Sequence, residues 1–230
     1  MTTNNIPKHI WAGDNFIVKD KEKEMLLRIV KEENPDNPRQ WDNVGKMVCW
    51  RNRDNLGDKH GYADPRDFLL ALALGKDIYD REDMSNEELF DMIRENYAIL
   101  PLYLYAHGGI TMNTTGFGCG FDSGQVGWIY AGKEEIIREY DVANEDNWRE
   151  VAEENFEYDV ETYDDYLTGT VLGYELYTFS DHKVEDLVDS CYGFYGVSTE
   201  RNGLLEQFTV IRQVEVKETK RTTITMKIVA

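Results

Sequence analysis

Residues 99–130, ILPLYLYAHGGITMNTTGFGCGFDSGQVGWIY, decide the fold class. The run 99–105 is apolar and aromatic, with Pro101 near its start, and reads as a buried strand. Gly108-Gly109 turns the chain, so 110–114 returns as a hairpin arm, and 126–130 supplies a third strand. Hairpin connections make neighbouring strands antiparallel. Outward from this centre the pattern alternates irregularly between helix and strand. A strand is expected at 45–50 (GKMVCW). Asp64-Pro65 opens an apolar helix over 65–74 that Gly75 closes. Ser85 and Glu88 form a capping box for a helix reaching about Tyr97, with Leu89, Met92 and Ile93 on one face. Helices are expected at 133–140 and 145–158, and strands at 170–179, 187–195, 208–216 and 222–229. Near the N-terminus Met25, Leu26, Ile29 and Val30 fall at helical spacing ahead of Pro35 and Pro38, which predicts a helix over 20–33. The βα order is too irregular for a doubly wound sheet. The expected class is α+β: a mostly antiparallel sheet with several helices packed on it.

The chain has 230 residues, enough for one large domain or two small ones. It carries 44 acidic and 25 basic side chains, a formal charge of −19. The start, Met-Thr-Thr-Asn-Asn, lacks the basic region and apolar core of a signal peptide, and no apolar window reaches the ~18–20 residues a membrane span needs. The three cysteines, Cys49, Cys119 and Cys191, form no disulfide framework and no CxxC knuckle; thiols in a reducing cytoplasm are expected.

The charge is gathered. Residues 134–189 hold 19 acids against Arg138, Arg149 and Lys183, whereas 210–230 is net basic. A basic stripe is the footprint of direct nucleic-acid binding, and none is present; anionic membranes are disfavoured for the same reason. Two readings of the acidic stretch stay open. It can be a solvated face that keeps the protein soluble. It can also be an anionic surface that docks into the basic nucleic-acid-binding groove of another protein, since duplex DNA carries one charge per ~1.7 Å of axis. For the second reading the partner-binding candidates are Glu145, Asp146, Glu150, Glu153, Glu154, Glu157, Asp164 and Asp165. The interleaved aromatics Trp148, Phe156, Tyr158 and Tyr163 would anchor the interface or fill the core behind it.

Chemistry is sought in the glycine-rich stretch. His107 and Cys119 can be paired as base and nucleophile, with Asp122 orienting the imidazole and Gln125 stabilising an oxyanion. The same residues can simply satisfy their own hairpin backbone. Cys49, His60, His107, Cys119, His182 and Cys191 are of zinc-ligating type, yet no two share a local turn; there is no EF-hand loop, and GFGCGFDSG lacks the Lys-Ser/Thr of a phosphate loop. No metal site and no cofactor are expected.

In order along the chain, DNVGKMVCW (42–50), RNRDNLGD (51–58), DSGQVG (122–127), VETYDDYLTGTVLGY (160–174) and DSCYGFYG (189–196) resemble uncharacterised proteins encoded by bacteriophages and mobile elements, mostly of Gram-positive hosts. Sequences of that kind carry Ser or Asp in place of Gly108 or Ala106, and Pro-Trp in place of Gly120-Phe121, so the hairpin's rim chemistry varies. The resemblance implies a core domain over 41–196, preceded by an N-terminal extension and helix over 1–40 and followed by C-terminal strands over 197–230 added to the same sheet. It implies an origin and no mechanism. Small acidic phage accessory proteins are often inhibitors of host nucleic-acid-handling or defence proteins, including restriction and CRISPR systems. The leading expectation is therefore an inhibitor in the cytoplasm of a bacterial host, acting through its acidic surface without direct contact to nucleic acid or membrane. The alternative is a small-ligand binder or Cys/His-dependent hydrolase using the 107–125 hairpin. A structural phage component is a third reading, with no repeat or coiled coil to support it.

Overall fold

The computed structural model describes residues 6–20, 23–51, 55–75, 84–181, 183–218 and 224–228, with the strand 224–228 and Glu218 described by backbone alone. In chain order these form β1 (Asn15–Asp20), β2 (Lys23–Lys31), a 3-10 turn (Pro38–Gln40), β3 (Lys46–Cys49), α1 (Pro65–Leu74), α2 (Asn86–Asn96), β4 (Tyr97–Ala106), β5 (Ile110–Asn113), β6 (Ser123–Gly132), α3 (Lys133–Glu139), α4 (Trp148–Thr168), β7 (Val171–Ser180), β8 (Lys183–Tyr195), α5 (Thr199–Asn202), β9 (Thr209–Glu218) and β10 (Ile224–Ile228). Every strand pairing is antiparallel, and the class is α+β. The chain divides into two compact units: a central one of residues 37–168 and a terminal one made from 1–36 and 169–230.

The central unit is built on a four-stranded sheet in the order β3-β6-β4-β5. Side chains alternate across it with the two-residue period of a strand. Met47, Ile129 and Ala131 face one way, toward Phe156, Val160 and Tyr163 of α4, while Val48 faces the other, toward Phe68, Leu69, Leu89 and Ile93 of α1 and α2. Both faces are therefore covered by helices. The helix starts follow the sequence signals. The Asp64 side chain accepts from the Asp67 backbone N–H, Pro65 opens α1, and both halves of the Ser85–Glu88 capping box are formed. α4 runs ten residues beyond its expected end, because Val160, Tyr163 and the partly buried Leu167 extend the apolar stripe.

The terminal unit is a six-stranded sheet in the order β10-β9-β1-β2-β7-β8. Cα atoms of the two edge strands, β8 and β10, come within 8 Å of each other, so the sheet curls toward closure. Ile17, Leu26 and Val214 lie on one face with Tyr177, Phe179 and Val184. Phe16, Leu27, Ile29, Tyr174 and Leu176 lie on the other, under Ile10, Leu204 and Leu205.

Two expectations change. The helix expected over 20–33 is instead the hairpin of β1 and β2, with Phe16 opposite Leu27 and Val18 opposite Met25. A strand buried on both faces shows a nearly continuous apolar run, which imitates helical spacing when read alone. Nor does the chain divide at 196/197. The stretch 169–196 joins 197–230 and the N-terminal strands in one unit, because β9 pairs with β1 and β7 with β2. Among the described residues no helix is long and apolar enough to cross a membrane.

Gly127 fixes the approach of β3 to β6. It is buried, and a Cβ there would sit 1.8 Å from the Val48 carbonyl oxygen, a backbone atom that cannot step aside. Gly127→Ala should accordingly cost about 3 kcal/mol and lower the melting temperature by about 10 °C. Gly124→Ala, where a Cβ meets nothing within 4 Å, should melt within about 2 °C of wild type.

Candidate functional site

α4 sorts its side chains by face. Glu150, Glu153, Glu154, Glu157 and Glu161 recur at three- and four-residue intervals and so form one stripe. Asp146, Glu150, Glu153, Glu154 and Glu157 border a shallow surface groove of about 440 Å³ together with Arg149. Arg149 is already engaged: its guanidinium lies 4.4 Å from the Trp148 ring centroid and donates to the Arg94 carbonyl. None of Glu150, Glu153, Glu154 and Glu157 makes an ion pair with a described residue. Those four carboxylates form an anionic ridge.

Not every expected contributor belongs to it. Trp148 and Tyr163 are 5% and 2% exposed, packed with the fully buried Phe156 against the sheet. As core side chains they cannot anchor a partner, and Tyr158 at 53% is the exposed aromatic of the helix. Glu145 is paired with Lys133 at 2.6 Å. Asp164 accepts from the Met112 backbone N–H at 2.7 Å and thereby holds the end of β5, and Asp165 is half-buried.

The hairpin brings together only part of its expected set. His107 Nδ1 lies 3.2 Å from Asp122 Oδ2, with both side chains open to water. Cys119 is exposed, and its sulfur makes no hydrogen bond to His107 or to any other described residue; its carbonyl accepts from Ser123 Oγ. Gln125 donates to the Gly127 carbonyl at 3.2 Å. Asn113 Oδ1 accepts from the Thr115 and Gly116 backbone N–H groups. These polar groups serve the loop's own backbone, and an exposed His–Asp pair without a hydrogen-bonded thiol activates no nucleophile. Among the described residues no three His, Cys, Asp or Glu side chains gather as a metal site; His182 lies outside them.

A third place stands apart from the partner-binding and hairpin residues singled out in the sequence. A cavity of about 910 Å³ opens between the 3-10 turn, β3 and residues 55–63. Its floor is a buried ion pair. Arg39, with a side chain 3% exposed, donates from Nε and Nη2 to the two oxygens of Asp58 at 3.0 and 2.8 Å, and again from Nη2 to the Gly45 carbonyl at 2.7 Å. Asp58 also accepts from the Met47 backbone N–H at 2.8 Å, and Gly57 N–H donates to the Tyr163 hydroxyl. Gly57 has φ +70°, and a Cβ would meet the Met47 carbonyl at 2.7 Å, so this crossing requires glycine. The walls are aromatic: Trp50 and His60 lie 4.9 Å apart, and His60 and Tyr62 stack at 5.8 Å. Among the described residues the lining carries Arg39, Lys46, Arg51 and Lys59 together with the acid Asp58. Sequence reading missed this place because Arg39 and Asp58 are 19 residues apart, and the retrievable signal was the clustering of Lys, Arg, Trp and Tyr between 39 and 62.

Compared with family models, curated proteins and solved structures, the chain matches none.

The site's chemistry has two measurable consequences. Burial, with Asp58 nearby, pushes the Cys49 thiol up to about 12. Iodoacetamide at pH 8 should therefore modify the exposed Cys119 and Cys191 and spare Cys49 until the chain is unfolded, as peptide mass mapping would show. Burial likewise pushes the Asp159 carboxyl up to about 6, with Asp58 adding to the rise and Arg39 opposing it. The folded chain then holds a proton that the unfolded chain has already released between about pH 4 and 6. Stability from the neutral carboxyl is complete below that window and lost as the pH climbs through it. Asp159→Asn should raise the melting temperature at pH 8 by about 3 °C, after allowing for solvent screening, with the gain narrowing toward pH 5.

Proposed function

We propose that this protein is a binding protein whose anionic ridge on α4 docks on a protein with a basic nucleic-acid-binding groove. The observation that carries it is the run Glu150, Glu153, Glu154 and Glu157 on one helical stripe, none of them ion-paired with a described residue. At ~1.5 Å of rise per residue, four charges span ~10 Å of axis, a density approaching that of duplex DNA. Such a ridge fits a groove that normally accepts phosphates, and it repels nucleic acid itself. The charge is local, so the ridge imitates a short stretch of backbone rather than a whole duplex. The resemblance to bacteriophage and mobile-element proteins adds a context: an accessory protein acting in the cytoplasm of a bacterial host, with a nucleic-acid-handling or defence protein of the restriction or CRISPR kind as its target. Because Trp148 and Tyr163 are core, the interface relies on charge more than on aromatic anchors.

A partner captured from bacterial lysate and purified should bind the wild type and release it when duplex DNA is added. Replacing Glu150, Glu153, Glu154 and Glu157 together by Gln should weaken that binding at least tenfold, while Cys119→Ala leaves it unchanged. Affinity should fall steeply between 50 and 200 mM salt as exposed charges are screened. A flat salt profile, or binding that survives the four substitutions, would overturn the proposal.

A further inference from the structure

The end of the four-stranded sheet that carries the glycine-rich hairpin presents aromatic rings on one face, and we infer that this face binds a neutral saccharide. Side chains opposite one another in antiparallel register share a face. Thr111, Tyr105 and Ser123 form one such row across β5, β4 and β6, and Asn113, Tyr103 and Gln125 form the next. α1 and α2 pack over Val48 and Ile99 on this side, and their cluster stops short of Tyr103 and Tyr105. α4 packs on the other face, so the inference is independent of the ridge.

The rings are contiguous. Tyr103, Tyr105 and Phe117 are half-buried and His107 is exposed. The Tyr105 ring centroid lies 5.7 Å from that of Phe117 and 6.4 Å from that of His107. The loop after β5 is laid back onto the sheet, which brings Phe117 there. A Cβ on Gly116 would touch the Tyr103 ring at 3.7 Å, and Asn113 ties down the Thr115 and Gly116 N–H groups. Phe121, on the same loop, is fully exposed. Ring faces carry partial negative charge and so attract polarised C–H bonds. The C–H face of a sugar ring is an uncharged, nearly flat surface of that kind.

Charge and polarity narrow the class. His107 and Asp122 face each other at 3.2 Å, and the two rows with Phe117 hold no other acid or base. A phosphate backbone is offered no lysine or arginine among these residues. Tyr103, Tyr105, Thr111 and Ser123 bring hydroxyls, and the polar rim adds acceptors. Gln125 spends its N–H on the Gly127 carbonyl and keeps its oxygen, and Asp122 keeps its second oxygen beside the one facing His107. A polyproline segment would also lie on aromatic rings. It brings only carbonyl acceptors, however, and would leave the Gln125 and Asp122 oxygens without donors. Sugar hydroxyls both donate and accept, so a saccharide serves the ring faces and the rim together.

The test is calorimetric titration of the full chain with maltohexaose, cellohexaose and chitohexaose, with dextran sulfate and decaproline as competing ligand classes. At least one neutral hexasaccharide should bind saturably, with an affinity constant to within about twofold between roughly 50 and 200 mM salt, because no ion pair is formed. Replacing Glu150, Glu153, Glu154 and Glu157 by Gln should leave that binding as in wild type, which separates this face from the ridge. Tyr105→Ala combined with Phe117→Ala should weaken it about tenfold, whereas Tyr105→Phe, which keeps the ring, should cost less than about threefold. Should the double variant melt early, His107→Ala takes its place: that side chain is 72% exposed, so the fold stays, and binding should weaken about fivefold. Absence of saturable binding by all three hexasaccharides, a steep loss of affinity with salt, tighter binding of dextran sulfate or decaproline, or full affinity in the alanine variants would each overturn the inference.

Discussion

α4 can bury only one side of itself, and the central unit depends on that constraint. Its stripe of Trp148, Ala152, Phe156, Val160 and Tyr163 covers one face of the four-stranded sheet. Burying a large apolar or aromatic side chain contributes about 1.5–3 kcal/mol, so this stripe fixes the rotation of the helix about its axis. Once the rotation is set, the glutamates at 150, 153, 154 and 157 have one direction left. The ridge follows from packing on the opposite side, and no interaction among the carboxylates is needed to align them.

The same rotation reaches the cavity. Tyr163 accepts from the Gly57 N–H, and Asp159 stands close enough to Arg39 and Asp58 to feel both charges. A guanidinium 3% exposed would be costly without partners. Here it has a bidentate carboxylate and a carbonyl, and the carboxylate has a backbone donor of its own. The pair ties the 3-10 turn, β3 and the 55–58 crossing into one frame. The Lys and Arg side chains around that frame share a surface because those three segments are held together. The molecule thus displays an anionic helix face and, in the same unit, a concavity over a buried ion pair. Each follows from which side of an amphipathic or crossing segment is left to solvent.

Local signals were legible wherever a physical effect spans only a few residues. Asp64-Pro65 and Ser85–Glu88 located helix starts to the residue, because a cap concerns the first turn alone. Gly108-Gly109 gave the β4–β5 hairpin for the same reason. The reading failed over 20–33, where a strand covered on both faces has the composition of a helix, and at the end of α4, where Leu167 still packs on the core and Gly169, at φ +69°, rather than residue 158 marks the stop. At the hairpin, sequence proximity placed His107 with Asp122 but not with Cys119.

From the sequence alone came the class of fold, the starts of two capped helices, the absence of a disulfide framework and the gathering of negative charge between 134 and 189. These are properties of composition or of neighbours along the chain. Tertiary structure decided which aromatics of α4 are core, how both chain ends share one sheet, and that Arg39 meets Asp58 beneath an aromatic cavity. Those outcomes depend on contacts between residues distant in sequence. Such contacts form only where several segments bury apolar surface together, and no single segment encodes where its partners will be.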